Sequence, residues 1–140
     1  MSRGCELVIT PYIDSMQVTA TERTFGLKVR VKVGGDALSA WRSATKFTDT
    51  LSTDGDDDES DAGWALSNAN RAYIWLKSWP ESRKKGNSKT LTHECVHVAM
   101  SFLRDHVRED IRKAEETCCY LVQHLVDEIE HKLNSRRKSR

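Results

Sequence analysis

Strand-like segments lead the chain and helix-like segments close it, which predicts an α+β fold: a small N-terminal antiparallel or mixed β-sheet followed by two packed C-terminal helices. Three observations carry this. In "FGLKVRVKVGG", Leu27, Val29, Val31 and Val33 alternate with Lys28, Arg30 and Lys32, the period of a strand with one buried face. "YIWL", Tyr73 to Leu76, is an aromatic and β-branched run ended by Pro80. From Leu91 onward the apolar residues recur at helical spacing instead.

Taken in order, "ELVITPYI" is a short apolar run stopped by Pro11. Residues 14–24 are polar and threonine-rich, a further strand or a connection. The alternating strand ends at Gly34-Gly35, and its charged face is expected to be basic and wet. Residues 36–47 fit a short helix or a loop, and residues 48–63 read as a loop of Thr, Ser, Asp and Gly. "PESRKKGNS" is a surface connection. Ser88 or Thr90 can cap a helix whose apolar face is Leu91, Cys95, Val98 and Phe102. A break is expected around "RDHVRED". A second helix then runs from about Glu109 to Leu133 on the stripe Ile111, Ala114, Cys118, Leu121, Leu125, Ile129 and Leu133. Residues 1–133 form one domain, and 134–140 a basic flexible tail.

The totals bound the function. A chain of 140 residues can bury a core without staples, and its net charge of +1 argues against wholesale binding to nucleic acid or an anionic membrane. The basic tail is the one feature that favours nucleic acid, and it is expected to serve solubility instead, so nucleic acid is not an expected partner. No stretch approaches the roughly 20 apolar residues of a membrane span, and no apolar leader follows Met1. The four cysteines, Cys5, Cys95, Cys118 and Cys119, form neither a CxxC pair nor a disulfide framework, which suits a reducing compartment. "DGDDDESD" fails as a calcium loop, because Glu59 and Ala65 stand where glycine and glutamate are needed.

The chemical signal is "LTHECVHVAM". Residues four apart on a helix share a face, so His93 and His97 present two imidazoles side by side, as two corners of a tetrahedral zinc site require. Glu94, one residue on, projects beside the metal and can move a proton between water and a leaving group. A catalytic zinc needs a third protein ligand and an open fourth position. Met100 and Leu103 occupy the positions where a metzincin carries glycine and histidine, which excludes that class. His106 is too far along the helix and on the wrong side. Glu115 and Glu116 on the second helix remain, Glu115 inside its apolar stripe and Glu116 at the edge.

HExxH followed by a glutamate one helix later resembles the gluzincin-type zinc metallopeptidases. "AYIWLKSWP", "LTHECVHVAMSFL" and "EETCCYLVQHLVDEI" together are similar to short zincins encoded by bacteriophages and prophages, over roughly residues 71–130. The resemblance implies one zinc per chain, with His93, His97 and Glu116 as ligands, Glu94 as general base and Tyr120 near the metal. It departs from the usual pattern after the glutamate, where Thr117, Cys118 and Cys119 replace small residues. It implies a cytoplasmic protein, in the host bacterium if phage-encoded. Tyr73, Tyr120, His106 and His124 are candidates to stabilise an oxyanion. Strand 71–76 is expected at the sheet edge, where it can pair with a peptide substrate. The alternative is a non-catalytic interaction protein of the same fold, its zinc structural or absent.

Overall fold

The computed structural model describes residues 15–51, 62–80, 89–106 and 111–138. Cys5, "ELVITPYI", the acidic run 54–61, the basic residues 83–85, Ser88 and the expected break at 107–110 lie outside them. The fold is α+β. Among the described residues, four strands, β1 (Ser15–Glu22), β2 (Leu27–Gly34), β3 (Gly63–Asn68) and β4 (Arg71–Leu76), and three helices, α1 (Ala37–Thr48), α2 (Lys89–His106) and α3 (Ile111–Lys138), follow in the order β1-β2-α1-β3-β4-α2-α3.

The sheet order is β1-β2-β4-β3. β1 and β2 form an antiparallel hairpin, with Gly26 at φ +72° in its turn, a conformation that costs glycine least. β2 pairs parallel with β4, and β4 pairs antiparallel with β3. Strand 71–76 is therefore an interior strand and not the expected edge. Its residues from Ala72 to Leu76 are all buried, because helices cover both faces of the sheet. The edge beside α2 is β3, a strand the loop expected over 48–63 and the run from Asn70 had left between them.

On one face, Val29, Val31, Val33, Ala72, Ile74 and Leu76 meet α2 and α3. On the other, Trp64, Tyr73 and Trp75 pack on α1 through Ala37, Ala40, Ala44 and Phe47. The ambiguous segment 36–47 is thus a helix, started by Asp36, whose carboxylate accepts from the Ser39 amide at 3.0 Å. The charged face of β2 stays largely wet as expected, with Lys28 exposed and Arg30 and Lys32 half-buried. The Arg30 guanidinium lies 4.2 Å from the centre of the Phe47 ring, with Arg71 at 5.2 Å, so both cations stack on an aromatic plane.

α2 and α3 run antiparallel: Met100 meets Cys118, and Cys95 feels the charge of Glu130. Leu121, Leu125, Ile129 and Leu133 form the fully buried stripe of α3. The helix runs on through the segment expected as a tail, to Lys138. Arginine and lysine are good helix formers, and Asn134 accepts from the Trp79 indole at 2.9 Å.

The other edge strand, β1, is held by α3. Lys132 donates to the Thr19 carbonyl at 2.6 Å, and the Thr21 amide donates to Glu128 at 3.1 Å. Glu22 follows Met16, Val18 and Ala20 on the inward face and is 1% exposed. Burial pushes its pKa up. Hydrogen bonds from Tyr120, the Phe25 amide and Thr24, with the nearby His124 charge, outweigh burial and hold it below 4.5. The stability this adds is fully present above the unfolded-state pKa and disappears as pH falls through the lower folded value. Glu22→Gln is expected to cost about 2 kcal/mol at neutral pH, with the difference from wild type closing below about pH 4. Urea unfolding across that range checks it; a gap independent of pH would rule out the ionised carboxylate as the cause.

Candidate metal centre

α2 sends Leu91, Cys95, Val98, Ala99 and Phe102 into the core. The adjoining face turns toward β3, and between the two lies a cleft of about 510 Å³ lined by residues 63–67 of the strand and by His93, Glu94, His97, Ser101 and Arg104. His93, His97, Ser101 and Arg104 recur every three or four residues and Glu94 adjoins His93, so one face of α2 forms the whole wall over about three turns. Gly63 sets the close approach at the start of α2. A Cβ there would stand 2.7 Å from the Trp75 carbonyl oxygen and 2.9 Å from the Thr90 methyl.

His93 Nε2 and His97 Nε2 are 3.1 Å apart, with ring centroids at 4.7 Å and planes at 77°. Two nitrogens bound to one tetrahedral zinc at 2.0–2.1 Å stand about 3.3 Å apart. That spacing suits two corners of a zinc site, and equally a direct hydrogen bond between the two rings. Glu94, one position along, is 6% exposed and lines the same cleft.

Compared with protein-family models, curated proteins and solved structures, the chain matches none.

The structure thus brings His93, Glu94 and His97 together. It does not bring Glu116 or Glu115 to them. Both are exposed on the first turns of α3, and neither lines the cleft. Among the described residues, no group of three or more His, Cys, Asp or Glu side chains is arranged to hold a metal. The helix register explains the separation. Met100 sits opposite Cys118. Three residues beyond His97 and two or three before Cys118 put the glutamates roughly 8 Å along the helix axis from His97.

The four oxyanion candidates lie elsewhere. Tyr73 is buried on the α1 face of the sheet, which separates it from the cleft. Tyr120 donates a short hydrogen bond to Glu22, which raises its own pKa, and meets the Phe25 ring edge-on. His106 stacks on Phe102 at 4.5 Å. His124 Nε2 stands 3.1 Å from Glu128, an ion-pair distance without hydrogen-bond alignment.

Cys95, inside the motif, is fully buried. Burial, with the charges of Glu94 and Glu130, pushes its pKa to about 12, so it is a neutral core thiol. Ser101 and Arg104 were missed at the sequence level. Their signal was available: they stand four and seven positions after His97, on the same helical face.

Proposed function

We propose that this chain is a zinc-dependent peptide hydrolase whose centre is the cleft between α2 and β3. The observation that supports this best is the 3.1 Å pairing of the two imidazole Nε2 atoms, with Glu94 beside them in a cleft bordered by an edge strand. His93 and His97 would hold the metal. When bound, zinc supplies Lewis acidity, polarising a carbonyl and acidifying a water. The Glu94 carboxylate would take a proton from the attacking water and deliver it to the departing amine nitrogen. Among the described residues β3 has a sheet neighbour on one side only, so its outer edge can pair with an extended peptide and hold the scissile bond over the helix. That role belongs to β3 in this reading, since β4 is interior.

The third ligand in the proposal is Glu116, the residue the family resemblance implies, with Glu115 as the neighbouring choice. No helix among the described residues is long and apolar enough to cross a membrane. The adjacent free thiols Cys118 and Cys119 support a reducing, cytoplasmic setting for the proposal.

Metal content tests the centre. Wild-type protein equilibrated with zinc should carry about one zinc per chain by elemental analysis, and His93→Ala and His97→Ala should lose it. Glu115→Ala and Glu116→Ala assign the third ligand by the same measurement. A wild-type chain that takes up no zinc would overturn the reading. The distance of both glutamates from the imidazoles favours a second reading, a binding protein of the same fold without catalysis. It predicts normal folding and peptide binding, with no turnover at any zinc concentration.

A further inference from the structure

The cleft continues past the two imidazoles, and its far end is positive. Ser101 and Arg104 extend the wall made by His93, Glu94 and His97. Arg104 Nη2 donates to Ser101 Oγ at 3.3 Å, so the guanidinium is folded back one turn toward His97. Among the described residues it also meets Asp105, at 3.7 Å, between side chains that are 75% and 42% exposed. An exposed pair between neighbours contributes little and leaves most of the guanidinium fork to a ligand. At the opposite mouth, Lys89 lines the wall with Thr90, His93, Glu94, Ala62 and Gly63. Among the described residues lining the cleft, the two exposed charges are therefore both cations, and the one anion, Glu94, is buried.

We infer that the partner in this cleft is an extended peptide carrying an acidic side chain, which Arg104 receives. The inference rests on the peptide-hydrolase reading for its occupant and goes beyond it in naming the substrate class and the residue that selects it. Its position follows from helix and strand dimensions. Folded back to the level of Ser101, the guanidinium lies six residues along α2 from the midpoint of His93 and His97, about 9 Å at 1.5 Å per residue. An extended peptide advances about 3.3 Å per residue. The carboxylate that Arg104 meets therefore belongs to a residue about three positions from the bond held over the imidazoles. A carboxylate at that point forms charge-assisted hydrogen bonds that a neutral or basic side chain cannot.

The test uses fluorescein-labelled peptides about twelve residues long, identical except for one glutamate or one lysine walked through the sequence. Binding is read by fluorescence anisotropy on full-length Glu94→Gln protein, so that turnover does not intervene. One glutamate register should bind about 3- to 10-fold tighter than the neutral parent, with the advantage shrinking as salt rises. Arg104→Gln should erase that advantage and leave the neutral peptide unchanged. Arg104→Glu should transfer the preference to the lysine peptide, which a structural role for Arg104 would not do. Equal affinity for all registers, binding of no peptide, an unchanged preference in Arg104→Gln, or equal competition by a single-stranded oligonucleotide would each overturn the inference. The two readings fail separately. A wild-type protein that binds the acidic register and cuts nothing defeats hydrolysis alone. One that cuts without regard to the acidic residue or to Arg104 defeats this inference alone.

Discussion

Glu94→Gln is expected to lower peptide hydrolysis by about 10²–10⁴-fold, the usual contribution of a positioned general base. Glutamine keeps the shape of a side chain that is 6% exposed in the cleft wall and removes its ability to accept a proton. The two imidazoles are untouched, so zinc content should stay near one per chain. The effect should appear in kcat rather than in KM, because in the proposed reading the strand edge and the cleft, not the proton acceptor, bind the peptide. Hydrolysis of a fluorogenic peptide, zinc content and melting temperature, measured together on wild type and variant, check all three parts. A variant that still folds and binds zinc but hydrolyses at the wild-type rate would remove Glu94 from the chemistry and leave the metal pair intact.

Leu125→Ala should be among the most destabilising single changes in the described part of the chain. Leu125 is 0% exposed and lies mid-stripe between Leu121 and Ile129, in the core that α3 shares with α2 and the sheet. Removing a buried isobutyl group forfeits its transfer free energy and leaves a cavity. Leu→Ala changes of this kind cost about 3–4 kcal/mol within an observed span of 2–5. Domains of this size are stable by about 5–15 kcal/mol, so the variant should melt roughly 10 °C lower. Chemical denaturation should show a lower midpoint with an unchanged slope. A loss under about 1 kcal/mol would mean that α3 is not packed on the sheet as described.

Patterns set by one side chain and its face were legible in the sequence, and placements set by partners were not. The alternation of Leu27, Val29, Val31 and Val33 marked β2 because one of its faces is charged. Tyr73, Ile74 and Trp75 marked a strand as well. Burial on both faces is what an interior strand requires, and periodicity alone could not say where in the sheet it sat. β3 was invisible for the opposite reason: only Trp64 and Leu66 alternate, over six residues ending in Asn68. α1 was ambiguous because its apolar face consists largely of alanines, yet Asp36 followed by Ser39 held a capping signal.

At the site, the i, i+4 geometry of His93 and His97 is a local consequence of one helix, so it could be read directly. Where Glu115 and Glu116 fall depends on how α3 is shifted along α2, a quantity set by contacts such as Met100 with Cys118 that leave no mark in either segment alone. Counting phase along α3 placed Glu116 at the edge of the stripe. In the structure the stripe is centred on Leu121, Leu125 and Ile129, and Glu116 points into solvent. The same dependence on partners moved the peptide-pairing role from strand 71–76 to β3.

The aromatic cluster beneath α1 has an optical consequence. Three of the four tryptophans are gathered there, Trp64 standing 5.1 Å from Trp41 and 6.1 Å from Trp75. Indoles at that spacing share their excited states, so near-ultraviolet dichroism and emission are dominated by one small region. Trp64 alternates along β3 with Gly63 and Ala65, whose other face walls the cleft. Trp64 thus joins the cleft wall to the indole cluster, and the native chain needs no added label to test whether a peptide binds there.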